Sequence, residues 1–518
     1  MKHSALFLVA FLVAAAPACA ADSDIIQATL TVRADKPLSV IAPEIYGQFA
    51  EHLGHGMYGG LWVGPQSKIP NTRGFRNDVV GALKALGVPV VRWPGGCFAD
   101  TYHWRDGIGP RGKRPVRVNA TWGGVEETNA VGTREYMDLI GQLGAKAYIN
   151  ANLGTGSPQE LKDWLEYMTS PTRSTLAQMR RANGRDTPWT VDYLAFGNEL
   201  WGCGGNMRPE FYSDLYHWYA TFAVTPTGST PKKIAAGAYG DNTAWTEALL
   251  AGDKAKDIDA ITLHHFALPQ GNFDGPKGPA TGFGEDQWMS VMKRSLAIDG
   301  MIAAHSAVMD KYDPDRKIAL YVDEWSNWYD VEPGTNPGFL NQQNTLRDAL
   351  TAAVTLDIFH AHADRVRMAC ITQMVNVLQA MIQTDGSRMY LTPTYHVYTM
   401  YKPFLGATDL AVELATPDYA FGRDAVPAVH ASAARRADGR IVLSLANIDP
   451  HRGAHIAVSI SGLHAVDGTI LTAAAMDAHN SFDHPDAVKP APFMDATLRA
   501  GGLDVVLPAK SLVVLELR

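Results

Sequence analysis

Eight short apolar segments recur along the chain, and most run straight into Gly, Asn, Glu, His or Gln. They read EIYGQFAEHL (from Glu44), VPVVRWPGG (Val88), KAYINANLG (Lys146), VDYLAFGNE (Val191), KIAAGAYG (Lys233), IDAITLHHF (Ile258), IALYVDEW (Ile318) and RVRMACITQMVNV (Arg365). Strands that are apolar throughout, with no polar face, are buried on both sides, which is the habit of a parallel sheet. Helical periodicity fills the gaps, as in Thr133–Leu143, Pro158–Met168 and Gln343–Ala363. Eight strand–helix units predict a (β/α)8 TIM barrel over residues 45–402.

The texture changes after Lys402. RIVLSLANI, HIAVSISGL, GTILTAAAM and LDVVLPAKSLVVLEL are short strands punctuated by Gly, Asp and Pro, without a helical period. They predict a C-terminal all-β sandwich (jelly-roll-like). The opening QATLTVRADKPLSVI has the same texture, so residues 21–44 plus 403–518 are expected to form that domain.

Residues 1–20 read as a signal peptide: Lys2, an apolar run from Ala5 to Ala16, and the small-residue site ACA ending at Ala20. The expectation is a secreted or periplasmic protein with no membrane span, since the apolar run is too short to cross a bilayer. A net charge of −8 without basic blocks leaves no reason to expect nucleic acid as a partner. Cys97, Cys203 and Cys370 lie far apart and are odd in number, so no disulfide framework is expected and all three read as thiols.

Polar residues at strand C-termini build the site of a barrel of this kind. One carboxylate ending a strand is commonly a surface terminus. Two of them, Glu199 in FGNELW and Glu324 in YVDEW, each beside a Trp, are what a glycosidase needs: a nucleophile and an acid/base, with an apolar wall to stack on sugar. Other patterns dissolve on inspection. GIGPRGKR from Gly107 has Arg114 where a phosphate loop needs Ser or Thr, and reads as a loop. His264 and His265 are strand neighbours and point to opposite faces, so they are a poor chelate. His360 and His362 fail similarly on a helix. No metal site and no cofactor are expected.

Five stretches carry a resemblance: GQFAEHLGHGMYGGLWVG, RWPGGCFADTYHWRDGIGP, FGNELWGCGG, DEWSNWYDVEPGTNPGF and HADRVRMACITQMVNVLQAMIQTD. In order, and over nearly the whole chain, they resemble glycoside hydrolase family 51, retaining α-L-arabinofuranosidases whose fold is a barrel with a jelly-roll-like sandwich. The resemblance implies Glu199 as acid/base, Glu324 as nucleophile and Asn198 on the sugar 2-hydroxyl. It implies Glu51 on furanose hydroxyls, Gln373 steadying sugar or nucleophile, and Trp104 and Trp328 as pocket walls. Cys97 stands where some relatives have Asn. Phe266 stands where the family has a Tyr that hydrogen-bonds the nucleophile. The substrates implied are plant cell-wall polysaccharides or oligosaccharides bearing arabinose, such as arabinoxylan and arabinan, and relatives also form homo-oligomers. Alternatives on the same framework are an endo-glucanase, a xylanase or a β-xylosidase; a non-catalytic carbohydrate-binding barrel is the alternative of another class.

Overall fold

The computed structural model describes residues 25–225 and 230–518. β1 (Ile26–Val40) precedes a closed barrel of eight parallel strands: β2 (Gly47–Phe49), β3 (Val90–Trp93), β4 (Lys146–Ala151), β5 (Tyr193–Phe196), β6 (Lys232–Tyr239), β7 (Ala260–Ala267), β8 (Ala319–Asn327) and β9 (Val366–Ile371). Every neighbouring pair is parallel, and β9 closes onto β2 through Cys370 and Gly47. β7 and β8 are buried along their whole length, as parallel strands covered on both faces must be. Large inward side chains, among them Phe49, Tyr148, Tyr193, Tyr321 and Met368, fill the barrel as one cluster.

Around it run α1 (Asn77–Leu86), α2 (Thr133–Leu143), α3 (Pro158–Thr169), α4 (Pro209–Phe222), α5 (Thr243–Leu250), α6 (Glu285–Leu296), α7 (Ile298–Tyr312) and α8 (Leu346–Ala361). Local chemistry sets their ends. Ser157 caps α3, accepting from the Glu160 amide at 3.2 Å, with Pro158 at the first helical position. Thr345 and Asp348 form a capping box on α8.

The remaining strands form a ten-stranded, mostly antiparallel sheet. It includes β10 (Thr408–Ala415), β11 (Val429–Arg435), β12 (Ile441–Asn447) and β13 (Ala454–Ser459). β1 lies between β10, antiparallel, and β13, parallel, so one end of the chain is woven into a sheet built from the other. This all-β unit packs against α8, which explains why that helix is buried on nearly every side. His360 bridges the Tyr46 hydroxyl at 2.8 Å and the Ser432 hydroxyl at 2.9 Å, while Asp357 accepts from Ser444 at 2.6 Å and Tyr401 at 2.9 Å. Barrel and sheet therefore share a polar seam inside an apolar contact.

Candidate active site

The strand ends converge on a cavity of about 200 Å³ at the barrel mouth. After β5 the chain turns through Gly197, whose φ of +77° is costly for any residue with a Cβ, and this turn sets Asn198 and Glu199 over the mouth. Glu324 reaches the same space from within β8. Glycine is also required at position 96, where a Cβ would lie 2.5 Å from the Glu324 Oε1.

An oxygen of Glu199, a ring nitrogen of His264 and an oxygen of Glu324 lie within 4.8 Å of one another. His264 Nδ1 sits 2.8 Å from Glu199 Oε1 and 3.7 Å from Glu324 Oε2, and its Nε2 is 3.2 Å from Asp323 Oδ1. Burial disfavours the charged ring, but Glu324, Asp323 and Glu199 outweigh it and push His264 up to about 10. It is therefore an imidazolium at neutral pH. Arg92, fully buried on β3, donates to Glu324 Oε1 and to Asn198 Oδ1, each at 2.6 Å, and pairs with Asp323 at 3.1 Å. Asp323 also accepts from the Tyr148 hydroxyl at 2.6 Å. Despite burial, Arg92, His264 and Tyr148 hold it below the usual carboxylate range.

Glu324 is pushed up to about 7: burial is the largest cause, Glu199 and Glu51 add to it, and His264 and Arg92 oppose it. Two cations thus hold two carboxylates close together. The Glu199–His264–Glu324 group has the spacing of a metal site, but the Arg92 guanidinium, 2.6 Å from Glu324 Oε1, would repel a cation.

Glu51 lines the same cavity. Its Oε1 accepts from the Gly96 and Phe98 amides at 3.0 Å and from Trp122 Nε1 at 2.9 Å, and its Oε2 accepts from Gln373 Nε2 at 3.0 Å. Burial raises its pKa against those donors. Leu53, Phe266, Leu340, Leu378 and Trp328 supply an apolar wall, with Trp201 and Phe273 at the rim. Of the residues singled out in the sequence, Glu51, Cys97, Glu199, Phe266, Glu324, Trp328 and Gln373 line this one cavity. Asn198 stands behind it, bound to Arg92.

Trp104 does not. It is buried under the loop after β3, its ring stacked on Trp164 at 6.4 Å and its Nε1 donating to the Glu160 carbonyl at 3.0 Å. Trp122 takes the wall position. The thiol reading of Cys97 and Cys203 is likewise corrected: they form a disulfide with a Cα–Cα distance of 5.6 Å, leaving Cys370 buried and free. The loops after β3 and β5 meet at the barrel mouth and bring together residues 106 positions apart. The bond borders Asn198, whose Nδ2 is 3.7 Å from Cys203 Sγ. Arg92, Asp323 and His264 were missed as site residues. His264 was legible only as half of a strand pair, and the pair does alternate: His265 turns away to the Arg294 carbonyl at 2.8 Å.

A larger cleft of about 890 Å³ lies along α2, away from the carboxylates. Its charges are largely paired, Arg73 with Asp138 and Arg111 with Glu135.

Two family models match the chain: the α-L-arabinofuranosidase 1 domain over residues 82–266 and the α-L-arabinofuranosidase C-terminal domain over residues 323–511. An intracellular exo-α-L-arabinofuranosidase of Bacteroides ovatus is 48% identical, with 100% of both chains covered. The crystal structure of the GH51 arabinofuranosidase from Xanthomonas axonopodis pv. citri superposes with a TM-score of 0.93 at 52% identity, covering 95% of this chain and 100% of that one. The arabinose complex of the Thermotoga maritima α-L-arabinofuranosidase gives 0.80 at 27% identity, covering 94% and 99%. These matches correct the expected localisation. The Bacteroides relative, aligned end to end, is named intracellular, and a dozen apolar residues after one lysine is a compositional signal that a retained protein can also carry. Residues 1–20, on which the secretory reading fell, lie outside the described residues. Among the described residues no helix is long and apolar enough to cross a membrane.

Proposed function

Because the chain belongs to the glycoside hydrolase family 51 α-L-arabinofuranosidases, we propose that it removes terminal α-L-arabinofuranosyl residues from arabinoxylan, arabinan and their oligosaccharides by double displacement with retention. The observation that carries the mechanism is the approach of Glu199 and Glu324 to within 4.8 Å. Retaining glycosidases hold their carboxyl groups roughly 5 Å apart, whereas inverting ones leave room for a water at about 6.5–9.5 Å.

In the first step the ionised Glu324 attacks the anomeric carbon while Glu199 gives its proton to the departing glycosidic oxygen. The C–O bond to the aglycone breaks as the ester to Glu324 forms. In the second step Glu199, now a carboxylate, takes a proton from water, which attacks the same carbon and releases Glu324. Arg92 and His264 favour the carboxylate form of Glu324 in the free enzyme. Asn198 serves the 2-hydroxyl, and its amide oxygen, occupied by Arg92 at 2.6 Å, leaves Nδ2 as the group to offer the sugar. Glu51 and Gln373, locked to each other, orient the furanose hydroxyls against the wall of Phe266, Trp122 and Trp328.

The cavity of about 200 Å³, lined by Phe273, Leu340 and Trp328, has the size of a single-sugar pocket and supports exo rather than endo action. Side-by-side hydrolysis of aryl α-L-arabinofuranoside, aryl β-D-xyloside and carboxymethyl-cellulose tests the assignment. Turnover confined to the first supports it; faster turnover of either of the others overturns it.

A further inference from the structure

Asp100 lies in a short 3-10 turn, Ala99–Thr101, on the loop after β3, and it is buried. Its carboxylate is held by backbone amides of two other loops. Oδ1 accepts from Leu153 N at 2.8 Å and Gly154 N at 3.1 Å, just after β4, and Oδ2 accepts from Asn198 N at 3.0 Å, just after β5. The loop after β4 returns the contact, since the Thr155 hydroxyl donates to the Asp100 carbonyl at 3.0 Å. The turn after Glu199 makes room for this carboxylate: a Cβ at Gly204 would lie 2.7 Å from Asp100 Oδ2.

A buried charge is a costly way to join loops. Burial pushes the Asp100 carboxyl up to about 6, the three amides and Arg92 oppose that, and at neutral pH it is a carboxylate. The fold does not need it for strand pairing, because β3, β4 and β5 are already hydrogen-bonded in the barrel. What it adds is the placement of their ends. Three donors arriving from two loops need two acceptor atoms, which a carboxylate has and an asparagine or serine lacks.

We propose that Asp100 is the positioning residue of the acid/base: by holding the Asn198 amide it fixes the backbone from which the Glu199 carboxyl reaches the glycosidic oxygen. This rests on the assignment of Glu199 as acid/base. The side chains here have their own tethers, Asn198 Oδ1 on Arg92 at 2.6 Å and Glu199 Oε1 on His264 at 2.8 Å. Beyond Glu199 the turn closes on itself, the Gly202 and Gly204 amides donating to the Glu199 carbonyl at 2.8 and 2.9 Å. Two links join that turn to the loop after β3: the Cys97–Cys203 bond on its far side, and Asp100 at the residue next to Glu199.

Leaving-group dependence tests this, with kcat/KM measured on aryl α-L-arabinofuranosides whose phenols span a wide range of acidity. Asp100→Asn keeps the size but turns an NH2 group toward an amide that needs an acceptor. Misplacing a reacting group by about 1 Å costs on the order of a hundredfold, and a misplaced acid is felt only where the departing oxygen needs its proton. Asp100→Asn should therefore lose about ten- to a hundredfold on the least acidic phenols and no more than about threefold on dinitrophenyl substrates, a steepening in the same direction as Glu199→Ala. Gly204→Ala presses a methyl group against Oδ2 without changing the charge. It should steepen the dependence too, and it serves as the test if Asp100→Asn fails to fold. A carboxylate that only stabilised the fold would lower the melting temperature and depress all substrates alike. Uniform loss or no loss in the folded variant, beside a steep dependence in Glu199→Ala, overturns this proposal alone. A flat dependence in Glu199→Ala overturns the acid/base assignment and this proposal with it.

Discussion

Glu199 and Glu324 each bring a carboxylate oxygen to within 4.8 Å of the other, and the His264 ring stands between them, 2.8 Å from the first and 3.7 Å from the second. Two carboxylates this close share a site in which one readily holds a proton, as the two different tasks proposed for them require.

That division of labour predicts asymmetric mutants. Glu324→Ala should abolish turnover, with azide restoring some activity and giving a product of inverted configuration. Glu199→Ala should lose most activity on natural glycosides but keep far more on substrates with an activated aryl leaving group, because only a poor leaving group needs the proton. Steady-state rates on both substrate types check this; identical behaviour of the two variants would reverse or remove the roles.

The pH profile follows from the charges around Glu324. The proposed attack requires its ionised form, and its pKa is raised from 4.5 to about 7, chiefly by burial. Activity should therefore fall as pH drops through a range above that of ordinary carboxylates. Removing the imidazolium in His264→Gln takes away a cation that favours the ionised form, so the acidic limb of kcat/KM should move to higher pH. Phe266→Tyr places a hydroxyl on the cavity wall, where a hydrogen bond to the carboxylate would move the limb to lower pH by roughly one to two units. A limb that stays put in both variants, with the fold intact, would separate Glu324 from this titration.

The Cys97–Cys203 bond ties the loop carrying Gly96 to the loop carrying Glu199. Reduction should release two thiols beyond those counted in the unreduced, denatured chain. Cys203→Ser should raise KM for arabinofuranosides more than it lowers kcat, since the loops that shape the cavity loosen while Arg92 and His264 still hold the carboxylates. Its melting temperature should fall as well, because the bond closes a long loop, a constraint worth about 2–5 kcal/mol. An unchanged thiol count after reduction contradicts the pairing.

Much of this was legible in the chain. The barrel was readable because strands such as YLAF and ALYV are covered on both faces and show it as unbroken apolar runs. Glu199 and Glu324 stood out because those runs stop on them. Arg92, Asp323 and His264 did not, because they lie inside the runs, where a polar residue looks like an interruption and its compensating partners sit on other strands. The loop after β3 has no period, so nothing local distinguished Trp104, which is core, from Trp122, which faces the cavity. The disulfide was hidden for a related reason: 106 residues of chain separate two loops that the closed barrel brings together.

The most direct test of the central claim is to trap the glycosyl-enzyme. A 2-deoxy-2-fluoro arabinofuranosyl donor with an activated leaving group slows both steps, and the release step most, so the ester accumulates; peptide mapping by mass spectrometry then locates the sugar. The sugar is expected on the peptide carrying Glu324, on that residue and in one-to-one stoichiometry. A sugar on Glu199 or another residue, or no adduct together with a first-formed product of inverted configuration, would contradict double displacement through Glu324.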